Sequence, residues 1–305
     1  MNSEMMKFSQ RIREVVSTDR IFQDEPMSRH TTFQIGGPAD FLVFPENAQE
    51  IARVLMLADR FGLPVTVLGN GSNVLVSDKG IRGLVLKVAA PLSGIRREGN
   101  RIIAGAGALL VDVARYAAEE QLTGLEFASG IPGSIGGAVY MNAGAYDGEI
   151  RQVVTAASAV CGQTLKHFVG EQLEFGYRHS VFQTNGCIIA EVEFTLQPGD
   201  GSEIKRVMDD LTQKRCSRQP LEMPSAGSTF KRPPGYFAGT LIEEAGLKGR
   251  RVGGAEVSTK HAGFVVNAGG ASATDVLTLI KEIQHCVRER FDVELQTEVK
   301  VLGEQ

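Results

Sequence analysis

Two glycine-rich loops, each placed after an apolar strand-like run, constrain this 305-residue chain more than any other feature. The first is Gly69-Asn70-Gly71-Ser72-Asn73; the second is Ala128-Ser129-Gly130-Ile131-Pro132-Gly133-Ser134-Ile135-Gly136-Gly137-Ala138. Backbone of this composition can approach a ligand closely, because no β-carbon intervenes and free N–H groups can face phosphate oxygens. A pair of such loops suits one extended phosphate-bearing cofactor, whereas either loop alone reads more readily as a tight turn. The dinucleotide fingerprint is missing: Gly105-Ala106-Gly107-Ala108-Leu109-Leu110 has Leu110 where the third glycine belongs, which disfavours a Rossmann domain. Without a Gly-Lys-Ser/Thr, the chain is not a P-loop protein either.

The flanking pattern supplies the elements. A polar helix is expected over 9–17 and a strand over 39–44. A helix starting at Asn47, with Glu50 placed for a capping box, carries Ile51, Val54, Leu55 and Ala58 on one face. The strand 65–68 then delivers the first glycine loop at its carboxyl end, where open α/β sheets bind ligands. Short strands are expected at 84–88, 95–97 and 102–104, a helix at 110–121, and strands at 153–160, 164–168 and 188–195. Pro198-Gly199-Asp200-Gly201 marks a boundary. Beyond it, Ser202 caps a helix to 218; a helix at 239–245, a strand at 263–267, a helix at 274–291 and a strand at 293–301 complete a small α+β domain.

A chain of this length holds two or three domains of about 100–150 residues, and 43% apolar with 22% charged residues is ordinary globular material. Neither a signal-peptide pattern nor 18 consecutive uncharged apolar residues is present, so a soluble, cytoplasmic protein is expected. Cys161, Cys187, Cys216 and Cys286 lack metal-ligand spacing, and so few in a large chain imply no disulfide framework. The five histidines show no zinc pattern, and no metal is expected. A net charge of −4 argues against nucleic-acid binding. The stretch 205–260 nevertheless carries eleven Lys and Arg against six Asp and Glu, a basic excess that fits a small anionic ligand or simply a solvated face.

Three residues draw attention for their chemistry. Arg178, in Gly176-Tyr177-Arg178-His179-Ser180, could clamp a carboxylate or stabilise a developing enolate, or could be an ordinary strand arginine. Ser228, in Ala226-Gly227-Ser228-Thr229-Phe230-Lys231-Arg232-Pro233, has no Gly-x-Ser-x-Gly context, which excludes a hydrolase elbow and leaves either a proton-donating hydroxyl or, more often for a serine in a loop, a structural one. Glu298 lies in an alternating run whose odd positions are mostly apolar; by pattern alone it is a solvent-side glutamate.

Taken in order from His30-Thr31-Thr32-Phe33 to Glu298, these segments resemble the UDP-N-acetylenolpyruvoylglucosamine reductase (MurB) family of flavoenzymes. The likeness includes both glycine loops, Asn142-Ala143-Gly144-Ala145-Tyr146, Tyr177-Arg178-His179-Ser180, Gly227-Ser228-Thr229-Phe230-Lys231 and Lys260-His261-Ala262-Gly263-Phe264. It implies an α+β FAD-binding fold of the vanillyl-alcohol-oxidase type, with FAD-binding subdomains at 1–90 and 91–200 and a substrate domain at 201–305, whose final strand near Glu298 returns to the active site. It implies non-covalent FAD held by Gly69, Asn70, Gly71, Ser72, Asn73, Ser129, Gly130, Ile131, Pro132, Gly133, Gly136 and Gly137. NADPH would reduce the flavin, which would then pass hydride to C3 of the enolpyruvyl ether of UDP-N-acetylglucosamine enolpyruvate. Arg178 and Glu298 would polarise the carboxylate and Ser228 would protonate C2. Tyr177, Lys231, Arg232, Lys260 and His261 would contribute to substrate binding. Ser228 follows Arg178 by fifty positions, which leaves no room for the tyrosine-bearing insertion of some members, so the chain resembles the branch without that lid. An FAD oxidase of the same fold, or a non-catalytic flavin- or nucleotide-sugar-binding regulator, are the competing readings. No obligate protein partner is implied.

Overall fold

Asn47 begins a helix as the sequence predicts: its side-chain oxygen accepts the Glu50 N–H at 2.8 Å, and the helix runs Ala48–Arg60. The Glu50 carboxylate does not close a reciprocal capping box. It accepts the Glu46 N–H at 2.9 Å and forks onto the Arg20 guanidinium at 2.7 and 2.9 Å, tying the helix start to an upstream segment. The structure, a computed structural model, describes residues 3–304. It divides into two compact units: Met1–Gln23, Phe41–Asn70 and Gly83–Lys214 form the first, and Asp24–Asp40, Gly71–Arg82 and Arg215–Gln305 the second.

In the first unit the strand Val65–Leu68 pairs in parallel with Ile81–Lys87, with Leu68 opposite Lys87. These belong to a four-stranded sheet ordered Ile21–Pro26, Pro38–Val43, Ile81–Lys87, Val65–Leu68. The second sheet is five-stranded, ordered Thr164–Val169, Val154–Cys161, Ile188–Thr195, Arg101–Gly105, Ile95–Glu98, and antiparallel throughout. An antiparallel sheet around Gly105 confirms that the Gly105-Ala106-Gly107 string opens no dinucleotide-binding βαβ unit. Phe8, Phe41, Ile51, Val54, Leu86, Ile102, Val113, Val192 and Phe194 are fully buried in one apolar cluster between these elements.

Four expectations are corrected. The first helix is Ser3–Ile12, not 9–17, because Phe8 and Ile12 supply the buried stripe and the polar residues 13–14 fall outside it. The helix Gly201–Arg218 is capped by Asp200, whose Oδ1 accepts the Glu203 N–H at 3.0 Å, rather than by Ser202. Cys161 and Cys187 form a disulfide, where so few cysteines in a large chain had implied none; pairing of Val160 with Ile188 brings the adjacent cysteines opposite each other. Finally, 293–301 is not one strand. It contains an isolated bridge at Thr297 and a short strand, Lys300–Leu302, pairing in parallel with Val74–Val76.

The second unit packs the helices Ala238–Glu244 and Ala273–Phe291 with the three-stranded sheet Arg251–Val252, Ala255–Val257, Val265–Asn267. Its core includes Leu75, Ile242, Val257, Val265, Val276, Leu279, Ile283, Leu295 and Val299. The long helix starts at a capping box of Ser272 and Asp275, and the Asp78 carboxylate accepts the Ala273 and Thr274 N–H groups at 2.7 and 3.0 Å. Burial raises the Asp78 pKa, but the Thr274 and Ala273 hydrogen bonds outweigh it and hold the carboxyl below its ordinary value. Among the described residues no helix is long and apolar enough to cross a membrane.

Candidate functional site

The two glycine loops meet where the first leaves its strand. Asn70 donates from Nδ2 to the Pro132 carbonyl at 2.6 Å, and a β-carbon on Gly69 would lie 2.2 Å from Ser134 Oγ. Ser134 caps the short helix Ile135–Tyr140, accepting the Gly137 N–H. In the second unit Gly71 takes a left-handed φ of +72°, and a β-carbon there would strike the His30 carbonyl oxygen at 2.3 Å. The Thr31-Thr32 segment therefore lies directly against the loop, with Thr32 N–H on the Gly71 carbonyl at 3.1 Å. Among the described residues, no hydrogen bond within the protein takes the backbone N–H of Asn70, Gly71, Ser72, Gly130 or Gly133. The N–H groups of Ser129 and Ile131 are used internally, on Glu126 and Ala128 carbonyls, and that of Gly136 on Ala106.

Arg178 sits in the first unit at the tip of a tight turn. Gly176 and His179 exchange both backbone hydrogen bonds, at 3.1 and 3.2 Å, leaving Tyr177 and Arg178 as the central pair. Arg178 has φ +54°, a left-handed conformation that costs a non-glycine residue about 1–3 kcal/mol. Its guanidinium carbon lies 5.2 Å from the centre of the exposed Tyr177 ring. The turn continues into Ser180, fully buried, whose hydroxyl donates to the Tyr140 carbonyl at 2.9 Å. Gln183 Nε2 donates to the same carbonyl at 2.8 Å and to the Arg178 carbonyl at 2.9 Å.

Ser228 and Glu298 come together in the second unit. Phe230 bridges Thr297, Glu298 N–H donates to the Thr229 carbonyl at 2.8 Å, and Lys231 N–H donates to the Gln296 carbonyl at 2.8 Å. Ser228 itself is exposed, one residue after Gly227 and one before a nearly fully buried threonine. Thr229 is anchored on its other side by the Gly263 carbonyl, and its Oγ1 accepts the Val265 N–H at 2.9 Å. Glu298 is half-buried rather than solvent-side, and its carbonyl accepts from Asn73 Nδ2 at 3.2 Å, so the tail of the first glycine loop reaches the candidate acid's own backbone.

The remaining candidates are more dispersed. Arg232 stacks its guanidinium over Phe237, 4.0 Å from the ring centre. Lys260 is engaged by the Cys216 carbonyl at 2.8 Å and the Glu222 carboxylate at 3.3 Å. Burial lowers the His261 pKa, and its Nδ1 accepts the Gly263 N–H at 3.0 Å, which fixes a neutral ring with the proton on Nε2. Two features escaped the sequence reading. Lys87, at the carboxyl end of the strand beside Leu68, is 8% exposed, and burial pushes its ammonium down to about 8. Asn142 is fully buried with its amide completely hydrogen-bonded; only its position in an otherwise small and apolar motif signalled it.

Comparison with known proteins bears on both units. A family model described as FAD binding domain matches residues 39–164, and one described as UDP-N-acetylenolpyruvoylglucosamine reductase, C-terminal domain matches 219–302. The chain is 52% identical over 297 residues to the UDP-N-acetylenolpyruvoylglucosamine reductase of Geobacillus kaustophilus, covering 97% of each chain. It is 50% identical over 302 residues to that of Clostridium perfringens, covering 99% of each. Among solved structures it is similar to UDP-N-acetylenolpyruvylglucosamine reductase (MurB) from Thermus caldophilus, with TM-score 0.82, 38% identity, and 93% of this chain and 99% of that chain covered. The fold is that of an FAD-binding domain followed by a C-terminal α+β domain. By full-length likeness, matching domain models and shared fold, the chain belongs to the UDP-N-acetylenolpyruvoylglucosamine reductase family.

Proposed function

We propose that this chain is an NADPH-dependent flavoenzyme that reduces UDP-N-acetylglucosamine enolpyruvate to UDP-N-acetylmuramate, a step of peptidoglycan precursor synthesis. The observation that carries the reading is identity of 52% across 97% of both chains to a reductase of that name. Bound FAD supplies the hydride relay between NADPH and C3 of the enolpyruvyl ether. Its proposed cradle is the pair of glycine loops. That assignment is supported by the Asn70–Pro132 hydrogen bond joining them and by the backbone N–H groups of Asn70, Gly71, Ser72, Gly130 and Gly133, which no protein acceptor takes among the described residues.

The chain's own residues handle the charge and the proton. Hydride arrival at C3 pushes negative charge toward C2 and its carboxylate. Arg178 holds that carboxylate by charge-assisted hydrogen bonds and stabilises the enolate as it forms. Glu298 hydrogen-bonds the same group, and Ser228 gives its hydroxyl proton to C2. An alcohol is a weak acid, so the transfer depends on a strongly basic carbon and on renewal of the proton from solvent; the exposure of Ser228 is consistent with that supply. Tyr177, Lys231 and Arg232 bind substrate. Lys260 and His261 serve less directly, since their polar atoms hold the 216–222 segment and the Gly263 backbone.

Functionally, 1–90 and 91–200 hold the flavin and 201–305 holds the nucleotide sugar, whose diphosphate fits the basic excess at 205–260. The substrates are small molecules, and neither nucleic acid, nor a membrane, nor an obligate protein partner enters the reaction. A cytoplasmic location follows from the use of NADPH and a nucleotide sugar. The Cys161–Cys187 disulfide pulls the other way, because such bonds persist mainly in oxidising compartments. The test is steady-state turnover without oxygen: beyond the one equivalent that reduces the flavin, NADPH should be consumed only when the enolpyruvyl substrate is present, with one lactyl ether formed per NADPH. Tight binding of both without turnover would overturn the enzyme reading.

A further inference from the structure

The Arg178 turn is strained where a type II-like turn ordinarily carries glycine or asparagine, and such strain persists only when surrounding contacts over-determine it. Those contacts converge on one side chain. Asn142 follows the helix Ile135–Tyr140, has φ +42°, and is 0% exposed. Its Nδ2 donates to Glu149 Oε2 at 2.8 Å and to the Gly176 carbonyl at 2.9 Å, while its Oδ1 accepts the Arg151 N–H at 2.9 Å. Both amide hydrogens and an oxygen lone pair are thereby used. The Gly176 carbonyl, which also accepts the His179 N–H, is the first fixed point of the turn; the Arg178 carbonyl, held by Gln183, is the second.

We propose that Asn142 is a positioning residue for the reaction: it fixes the Gly176 carbonyl and thereby holds Arg178 in the left-handed geometry from which its guanidinium meets the substrate carboxylate. The inference rests on the reading of Arg178 given above. Among the described residues the Gly176 carbonyl takes two donors, Asn142 Nδ2 and the His179 N–H, so without Asn142 it keeps only the turn's own bond. The turn can then relax Arg178 toward negative φ, and a displacement of about 1 Å at such a group costs on the order of 10²-fold in rate.

Stopped-flow measurement of the two half-reactions on flavin-loaded protein, with amide exchange at His179 as a second readout, tests this. In Asn142→Ala the reoxidation of reduced flavin by the enolpyruvyl substrate should slow by about 10- to 100-fold, NADPH-dependent reduction should stay within twofold, and the His179 amide should exchange faster. Because removing a buried asparagine could simply destabilise the fold, the double variant Asn142→Asp with Glu149→Gln is the decisive partner. It keeps a 142–149 hydrogen bond with reversed polarity but turns an acceptor toward the Gly176 carbonyl, so reoxidation should stay slow while NADPH-dependent reduction, the control for an intact fold, is retained. Recovery of the reoxidation rate in the double variant, or an equal loss in both half-reactions of Asn142→Ala, overturns the positioning role. Arg178→Lys is run alongside: if it leaves reoxidation at the wild-type rate, the Arg178 reading fails, and the His179 amide then decides by itself whether Asn142 holds the turn.

Discussion

The turn bearing Arg178 and the segment bearing Ser228 are held in opposite ways. Beyond its own main-chain pair between Gly176 and His179, the Arg178 turn is held by side chains: Asn142, Ser180 and Gln183 reach the carbonyls of Gly176, Tyr140 and Arg178. Ser228 is fixed by main chain, since residues 229–231 lie between the carbonyl of Gly263 on one side and the backbone of 296–298 on the other. The first device tolerates a strained backbone and is vulnerable to single substitutions far from the tip. The second is indifferent to most side chains and presents an exposed hydroxyl, which suits a group that must exchange its proton with solvent. The residue proposed to orient charge has the rigid seat, and the residue proposed to renew a proton has the accessible one.

The largest effect should come from the tip of the main-chain-held segment. Ser228→Ala should slow flavin reoxidation by roughly 10³-fold while NADPH-dependent reduction is unchanged in stopped-flow traces; equal loss in both would show that the segment's fold, not its hydroxyl, had been lost. Arg178→Lys comes next. It keeps the charge but loses the planar fork, and should slow reoxidation by about 10²-fold; wild-type behaviour would remove the functional reason for the rigid seat.

Thr229→Val probes the anchor rather than the tip. It leaves the Val265 N–H without its buried acceptor and should cost about 1–3 kcal/mol of stability by denaturant titration, yet keep the reoxidation rate within about threefold because the main-chain bonds to 298 and 296 survive. A large rate loss without a stability change would mean that side chains hold this segment too. The smallest effect concerns the sheet that delivers the first glycine loop. Burial lowers Lys87 from 10.5 to about 8, so between those values the unfolded chain binds a proton that the native protein does not, and stability rises with pH. Below pH 8 the cost of the buried charge is present in full. Lys87→Met should flatten that rise, about 1–3 kcal/mol across the interval, as read from unfolding midpoints.

Much of this architecture was legible. The Asn47 cap, the 65–68 strand ending in the first glycine loop and the strands between 95 and 195, though not their antiparallel pairing, follow from apolar periodicity and turn chemistry, which act locally. What was not legible depends on partners distant in sequence. Alternation suggested a strand through 293–301, but only Thr297 and 300–301 pair there, and Phe230 and Val74–Leu75 fix that pairing rather than the segment's own pattern. The same holds for the site. Glu298 looks like a surface residue because its significance comes from lying across from Thr229, and Asn142 is silent because a single polar residue beside small apolar ones carries no sign of what it reaches. Arg178, Ser228 and Glu298 were marked by likeness to a family, whereas physics alone left each with an ordinary structural reading.

The most direct test of the flavoenzyme reading is anaerobic. The purified yellow protein is reduced with NADPH, UDP-N-acetylglucosamine enolpyruvate is added, and the visible flavin band is followed. The account predicts bleaching by NADPH and rapid return of the oxidised band on adding the enolpyruvyl substrate. A flavin that NADPH bleaches but the substrate does not restore would contradict the assigned reaction, and protein that takes up no flavin would contradict the account as a whole.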